Sequence, residues 1–394
     1  MKFLALAAVI AVFALPVQAQ TAPLAVNVGV LRQPHSRDTI SLLDVPPADE
    51  TIAGATMAAD DDNTTGTFLN QKFSLQDAIV HSGAEALAAL ARFQTAGIKL
   101  VIADLPAAEL LQVAQAGTAS GMLFFNAGSE ADNLRMQDCR ANIFHVAPSR
   151  AMLTDGLAQY LVWKRWNRWF LVKGSHPTDD LLAQDYLNSA KKFGAKIVEQ
   201  RVFKDLGGGR RSDSGSVQTQ RQMAVFTQSA PAYDVLVAAD DNNVFAGYLP
   251  YATWDPRPVA GSAGLKPVTW DIAHEQWGAA QMQNRFTATF KRTMTQRDNQ
   301  AWTAMRMIGE AATDASSNDT AKIRADILSP HFSVADYKGQ RLTVRDWDQQ
   351  LRQPVLLSDG RIVVSVSPQE GFLHPNSVLD TLGIDKPETK CKLQ

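Results

Sequence analysis

Val26-Asn27-Val28-Gly29-Val30-Leu31 is a β-branched run that reads as a strand, and the order of segments after it decides the fold. Thr51 to Ala59 reads as a short helix ending in Asp60-Asp61-Asp62-Asn63 and Gly66. A second strand lies within Gln71–His81, followed by a helix with Ala84, Leu87, Leu90 and Ala91 on one face. Leu100-Val101-Ile102-Ala103 is a third strand; Leu110, Val113 and Ala114 mark the next helix; Met122 to Phe125 is a fourth strand. Such alternation builds a parallel sheet with helices on both faces.

The pattern then repeats. Ile143-Phe144-His145-Val146 is a connecting strand, and Ser149 caps a helix with Leu153, Leu157, Tyr160 and Leu161 on one face. Trp169-Phe170-Leu171-Val172 is a strand, Asp180 to Phe193 a helix, and Lys196 to Phe203 a strand. A glycine-rich loop opens at Gly207-Gly208-Gly209-Arg210-Arg211 and runs to about Gly215. A helix and the strand Asp234-Val235-Leu236-Val237-Ala238 follow. After Trp277 the chain returns to helix, with Ala301, Met305, Ile308 and Ala312 as one buried stripe. Arg341 to Val366 is strand-like and carries the turn Ser358-Asp359-Gly360. The expected fold class is α/β, with two doubly wound units.

The first residues carry a secretory pattern. Lys2 is the positive region, Phe3 to Leu15 the apolar core, and Val17-Gln18-Ala19 the cleavage site before Gln20. The apolar run is too short to span a bilayer, and no other segment holds ~20 uninterrupted apolar residues. With no cysteine near the cleavage point, the expectation is a mature protein free in the periplasm, without membrane insertion, and monomeric. The formal charge of −2 leaves no basic surplus, which argues against nucleic acid as a partner. The two cysteines, Cys139 and Cys391, lie in a compartment that permits a disulfide. Two free thiols are the alternative.

The ordered set of pieces resembles type I periplasmic binding proteins of the leucine/isoleucine/valine-binding class. Val28-Gly29-Val30-Leu31 resembles their first strand. Gly54-Ala55-Thr56-Met57-Ala58-Ala59 through Asn63 and Gly66 resembles their first helix and its exit. Ala301-Trp302-Thr303-Ala304-Met305-Arg306 resembles their late helix, and Trp347-Asp348 with Val355 to Gly360 their closing strands. A narrower likeness is to the subgroup associated with pyrroloquinoline-quinone-dependent alcohol oxidation. It is carried by Asp138 to Asn142, Ala147 to Met152 and Tyr160 to Trp166. The resemblance implies two lobes joined by a multi-strand hinge and closing on a small-molecule ligand, with an ABC importer permease as partner. A sensory module presenting its closed form to a receptor or dehydrogenase is the alternative. The expected division is a leader over 1–19, lobe one over 25–147 and 277–329, lobe two over 148–276 and 330–375, and a tail over 376–394.

Ligands of open α/β sheets bind beyond the carboxyl ends of the strands. That rule nominates Arg32, Asp104 and Ser129 in lobe one, and His176 and Asp240 in lobe two. Arg150 opens the first helix of lobe two, and Trp302 is taken to begin the late helix with Arg306 one turn on. Trp270 lies near a crossover. Stacking on a tryptophan, with arginines for carboxylates, would suit a small, planar, anionic solute such as pyrroloquinoline quinone. For each residue the plainer role is a salt bridge, a cap or core packing. The loop Asp104-Leu105-Pro106-Ala107-Ala108 lacks the hydroxyls with which amino-acid-binding relatives hold an α-carboxylate, which argues against an α-amino acid.

No catalytic set is legible. Asp61, Asn63, Thr65 and Gly66 mimic the start of a calcium loop, but Lys72 replaces its closing acid. The glycine run lacks the Gly-Lys-Ser/Thr ending of a phosphate loop, and His274-Glu275 lacks a second histidine for zinc. The expectation is a binding protein with no catalytic residues, no metal and no resident cofactor.

Overall fold

The computed structural model describes residues 22–35, 45–205 and 213–393. The expected leader and the glycine run 207–209 lie outside them. The first lobe opens with β1 (Leu24–Arg32), α1 (Ile52–Leu69), β2 (Gln71–Ile79), α2 (Gly83–Thr95), β3 (Leu100–Asp104), α3 (Ala107–Gly117), β4 (Leu123–Asn126) and β5 (Ile143–His145). The five strands form one parallel sheet in the order β2-β1-β3-β4-β5. Parallel strands are buried on both faces, which is why Leu100-Val101-Ile102-Ala103 is uninterrupted in its apolar character. Val26, Val28, Val30 and Ile102 face one core layer, and Leu31, Val101 and Ala103 the other. Full burial of one such valine, leucine or isoleucine contributes about 1.5–3 kcal/mol.

The second lobe begins at α4 (Arg150–Trp163), whose cap Ser149 Oγ accepts from the Met152 amide at 3.2 Å. It continues through β6 (Arg168–Lys173), α5 (Pro177–Phe193), β7 (Lys196–Val202), α6 (Asp213–Thr227), β8 (Val235–Ala239), α7 (Leu249–Ala252), β9 (Val259–Gly261) and β10 (Lys266–Val268). Its parallel sheet has the order β7-β6-β8-β9. The chain then adds α8 (Ala279–Phe290), α9 (Gln296–Asp314), α10 (Thr320–Ile327), the short pair β11 (Val334–Ala335) and β12 (Arg341–Leu342), and the hairpin β13 (Val355–Ser358) with β14 (Val363–Ser367). β13 pairs antiparallel with β10 and β14.

Core membership shows where the chain changes lobes. Trp270, Val334, Leu342 and Leu351 pack into the first lobe, whereas Leu265, Val355, Leu357 and Leu382 pack into the second. Among the described residues the crossings are therefore three: between Val146 and Met152, between Leu265 and Trp270, and between Leu351 and Val355. By this measure the last crossing falls some twenty residues after the expected 329/330 boundary, and the middle one precedes 277. Cys139 and Cys391 are joined in a disulfide with Cα atoms 5.6 Å apart, so the tail is tied back to the segment before β5.

Two local expectations change. α1 does not stop at Ala59 but continues through the four polar residues to Leu69. Tertiary partners outweigh their poor helix propensity: Asp62 is buried against Arg306, and the Asn63 amide group pairs with both the N–H and the C=O of Phe73 at 2.8 and 3.0 Å. In α2 the buried stripe is Ala86, Ala89, Leu90 and Phe93, while Leu87 is exposed.

Candidate functional site

A cleft of about 1050 Å³ lies where the carboxyl ends of the two parallel sheets face each other. On the first-lobe side it is walled by His35 after β1, Glu50 before α1, Ser129 and Glu130 after β4, and Arg297 on α9. Arg150, His176 and Asp241 face them from the second lobe.

Asp104, at the end of β3, organises the first wall from below. It is buried; its Oδ2 accepts from Thr51 Oγ1 at 2.6 Å, and its Oδ1 from His35 Nε2 at 3.1 Å and from Arg297. Burial works to raise its pKa, but Arg297, His35 and Thr51 outweigh burial and hold the carboxyl below its ordinary value. A Cβ on Gly128 would sit 2.1 Å from Asp104 Oδ1, so only glycine lets the loop after β4 pass over this carboxylate. Arg297 stands in the first turn of α9, which is set by a capping box. Thr295 Oγ1 accepts from the Asp298 amide at 3.2 Å, and Asp298 Oδ2 accepts from the Thr295 amide at 2.9 Å. Glu50 and Glu130 are both raised above the ordinary carboxylate value by burial, with Arg297 opposing. Asp104 adds to the rise at Glu50, and Asp241 to that at Glu130.

The second wall is held from the first turn of α5. Asp179 Oδ2 accepts from the His176 amide at 3.0 Å, and Oδ1 accepts from the Asp241 amide at 2.8 Å. His176 Nε2 lies 2.8 Å from Asp205. Arg150, at the start of α4, reaches Asp185 at 3.2 Å and Asp132 at 3.8 Å. Burial first, then the charge of Asp132, pushes Asp185 up to about 7.

Of the nominated residues, Ser129, Arg150 and His176 line the cleft, and Asp104 lies directly beneath it. The others stand elsewhere, each for a physical reason. Arg32 is spent on Asp77, bidentate at 2.9 and 2.8 Å, and on the Ala48 carbonyl at 2.7 Å. Asp240 is buried and accepts the amides of Val244, Phe245 and Ala246 at 2.7–2.9 Å. Trp270 is in the first lobe's core, with Nε1 donating to Gln283 at 3.3 Å. Trp302 does not begin the late helix: α9 starts at Gln296, which carries Trp302 and Arg306 away from the cleft. Among the described residues no phenylalanine, tyrosine or tryptophan lines the cleft, so the expected stacking surface is missing. His35, Glu50, Glu130 and Arg297 were not anticipated. The Thr295–Asp298 spacing is the signal that would have set the start of α9 at Gln296, ahead of Trp302, and placed Arg297 at the strand ends.

The model of the periplasmic binding protein family matches residues 47–359. The chain belongs to that family. This periplasmic binding protein is also similar in fold to solved structures of low sequence identity. One is a branched chain amino acid ABC transporter periplasmic ligand-binding protein from Burkholderia xenovorans (TM-score 0.73, 15% identity, 93% of this chain and 99% of that one). Another is the leucine-, isoleucine-, valine-, threonine- and alanine-binding protein from Brucella ovis in its closed conformation (0.68, 14%, 94% and 99%). A third is a solute binding protein from R. palustris in complex with benzoate (0.65, 12%, 94% and 100%). No curated protein matches the chain.

Proposed function

We propose that this chain is the soluble receptor of an ABC importer and captures a small polar solute by closing its two lobes on the cleft. The observation that carries the reading is the cleft itself: about 1050 Å³, bounded by charged groups of both lobes, with Arg297 opposite Arg150 and His176. A periplasmic location agrees with the family, and no described helix is long and apolar enough to cross a membrane. The names of the similar structures, an amino-acid-binding protein and a benzoate complex, point to solutes of this size.

The cleft narrows the solute class. Arginines and histidines supply donors for an anionic group, while Glu50, Glu130 and Asp241 supply acceptors. That mixture suits a solute with one anionic group and one or more donors. The planar tricarboxylate pyrroloquinoline quinone draws less support, because three carboxylates would meet these acids and no phenylalanine, tyrosine or tryptophan among the described residues lines the cleft. Three charge-assisted hydrogen bonds at roughly 1.5–3 kcal/mol each, with partial burial, reach micromolar affinity, about −8 kcal/mol.

Native mass spectrometry of freshly purified protein tests the reading. A retained small molecule in the wild type, lost from an Arg297→Ala/Arg150→Ala double variant, supports it. A bare wild-type chain whose melting temperature no organic anion or zwitterion moves would overturn it.

A further inference from the structure

Trp302 and Arg306 meet in a second cavity, of about 630 Å³, on the first lobe between α8, α9 and the β11–β12 turn. It shares no lining residue with the cleft. Its aromatic walls are Trp277, Tyr337 and Trp302, with Trp302 and Tyr337 5.6 Å apart between ring centroids.

These walls rest on unusual backbone. Trp277 (φ 53°) and Tyr337 (φ 44°) both adopt the left-handed conformation that bulky residues avoid. Their turns interlock. A Cβ on Gly339 would fall 2.4 Å from the Trp277 ring, and one on Gly278 would fall 3.2 Å from the Tyr337 ring. Each aromatic thus lies on the other turn's glycine, and Trp277 keeps about half of its surface (51%) in solvent. Strain of this kind persists where the surroundings over-determine it, and it concentrates at binding sites.

The charges are unevenly spent. Asp61 is paired with Arg285, and Asp336 is paired with Lys338 at 2.5 Å and with the Asn299 amide at 2.8 Å. Arg306 is paired with Asp62 and Glu310. Among the described residues the Arg341 guanidinium bonds only Ser333 Oγ, at 2.8 Å, so its charge has no carboxylate. A preformed aromatic platform beside a guanidinium without a counter-ion matches a flat ring that carries an acid.

We propose that this cavity is a second binding site, for a planar aromatic carboxylate stacked on Trp277 and Tyr337 and held by Arg341. It stands independently of the receptor reading, because none of its residues reaches the cleft.

The test uses 4-bromobenzoate on the full chain. Titration followed by tryptophan fluorescence is expected to saturate, and to shift at least tenfold to weaker binding in both Trp277→Ala and Arg341→Ala. Arg297→Ala, which alters only the cleft, is expected to leave that titration unchanged. In crystals the bromine anomalous peak is expected against Trp277. Absence of saturable binding, a bromine peak in the cleft alone, or wild-type affinity in Arg341→Ala would each overturn the proposal. Arg341 touches little, so that variant keeps the test sound if Trp277→Ala fails to fold.

Discussion

Asp104 and Asp240 occupy nearly equivalent places in the two lobes and hold different things. Asp104 ends β3 beside the last residue of β1; Asp240 follows the last residue of β8, beside β6. Asp104 gathers side chains, Arg297, His35 and Thr51, two of which line the cleft. Asp240 gathers backbone, accepting three amides of its own loop. Both are buried carboxylates at strand ends, and that position is what made each a candidate. The partner decides the role: where it is a side chain, the carboxylate shapes the cleft wall; where it is an amide, it builds its own loop.

The comparison breaks most visibly in stability. Asp240→Ala leaves three buried amides without acceptors, and at about 1–3 kcal/mol each, partly relieved by relaxation, the expected loss is about 3–5 kcal/mol in urea unfolding. A loss below about 1 kcal/mol would contradict the structural role. Asp104→Ala is expected to act on binding instead. Arg297 and His35 lose their anchor, and affinity for the captured solute falls at least tenfold, about 1.4 kcal/mol. If calorimetry shows the two variants exchanging these effects, the contrast fails.

A pH series sharpens it. Asp104, held low, stabilises the fold above the ordinary carboxylate range, and that contribution is lost as pH falls through its lowered pKa. Asp185, pushed up to about 7, works in the opposite sense. The folded state keeps its proton between the ordinary value and about 7, so the stability it adds is lost as pH rises through that window. Asp185→Asn is expected to flatten a loss of at most about 2–3 kcal/mol between about pH 5 and pH 8. An unchanged slope in denaturant titrations would remove Asp185 as its source. The smallest effect is at Arg32. Already bidentate on Asp77, Arg32→Lys is expected to change solute affinity less than about twofold, where loss of a ligand-bound charge would cost tenfold or more.

The fold was legible because its signals are local. Alternating apolar strands and capped helices reveal two parallel sheets before any contact is known. The end of α1 was not legible, since Asp60-Asp61-Asp62-Asn63 reads as a loop until Arg285 and Arg306, more than two hundred residues away, are brought beside it. The same limit governs the site. Strand ends pointed to Ser129 and His176, and a helix start to Arg150, but nothing near Arg32 shows that Asp77, 45 residues on, neutralises it. Trp302 drew attention as an aromatic at a helix start, while the Thr295–Asp298 capping spacing set the true start and put Arg297 there instead. Strand and helix ends are written in neighbouring residues; which charge remains free is written in distant ones.

Lobe closure is the central claim, and small-angle X-ray scattering measures it directly. With the solute recovered from the purified protein added back to ligand-free wild type, the account predicts a smaller radius of gyration. It also predicts that Arg297→Ala, at the same solute concentration, keeps the ligand-free value. An identical scattering curve with and without bound solute in the wild type would contradict it.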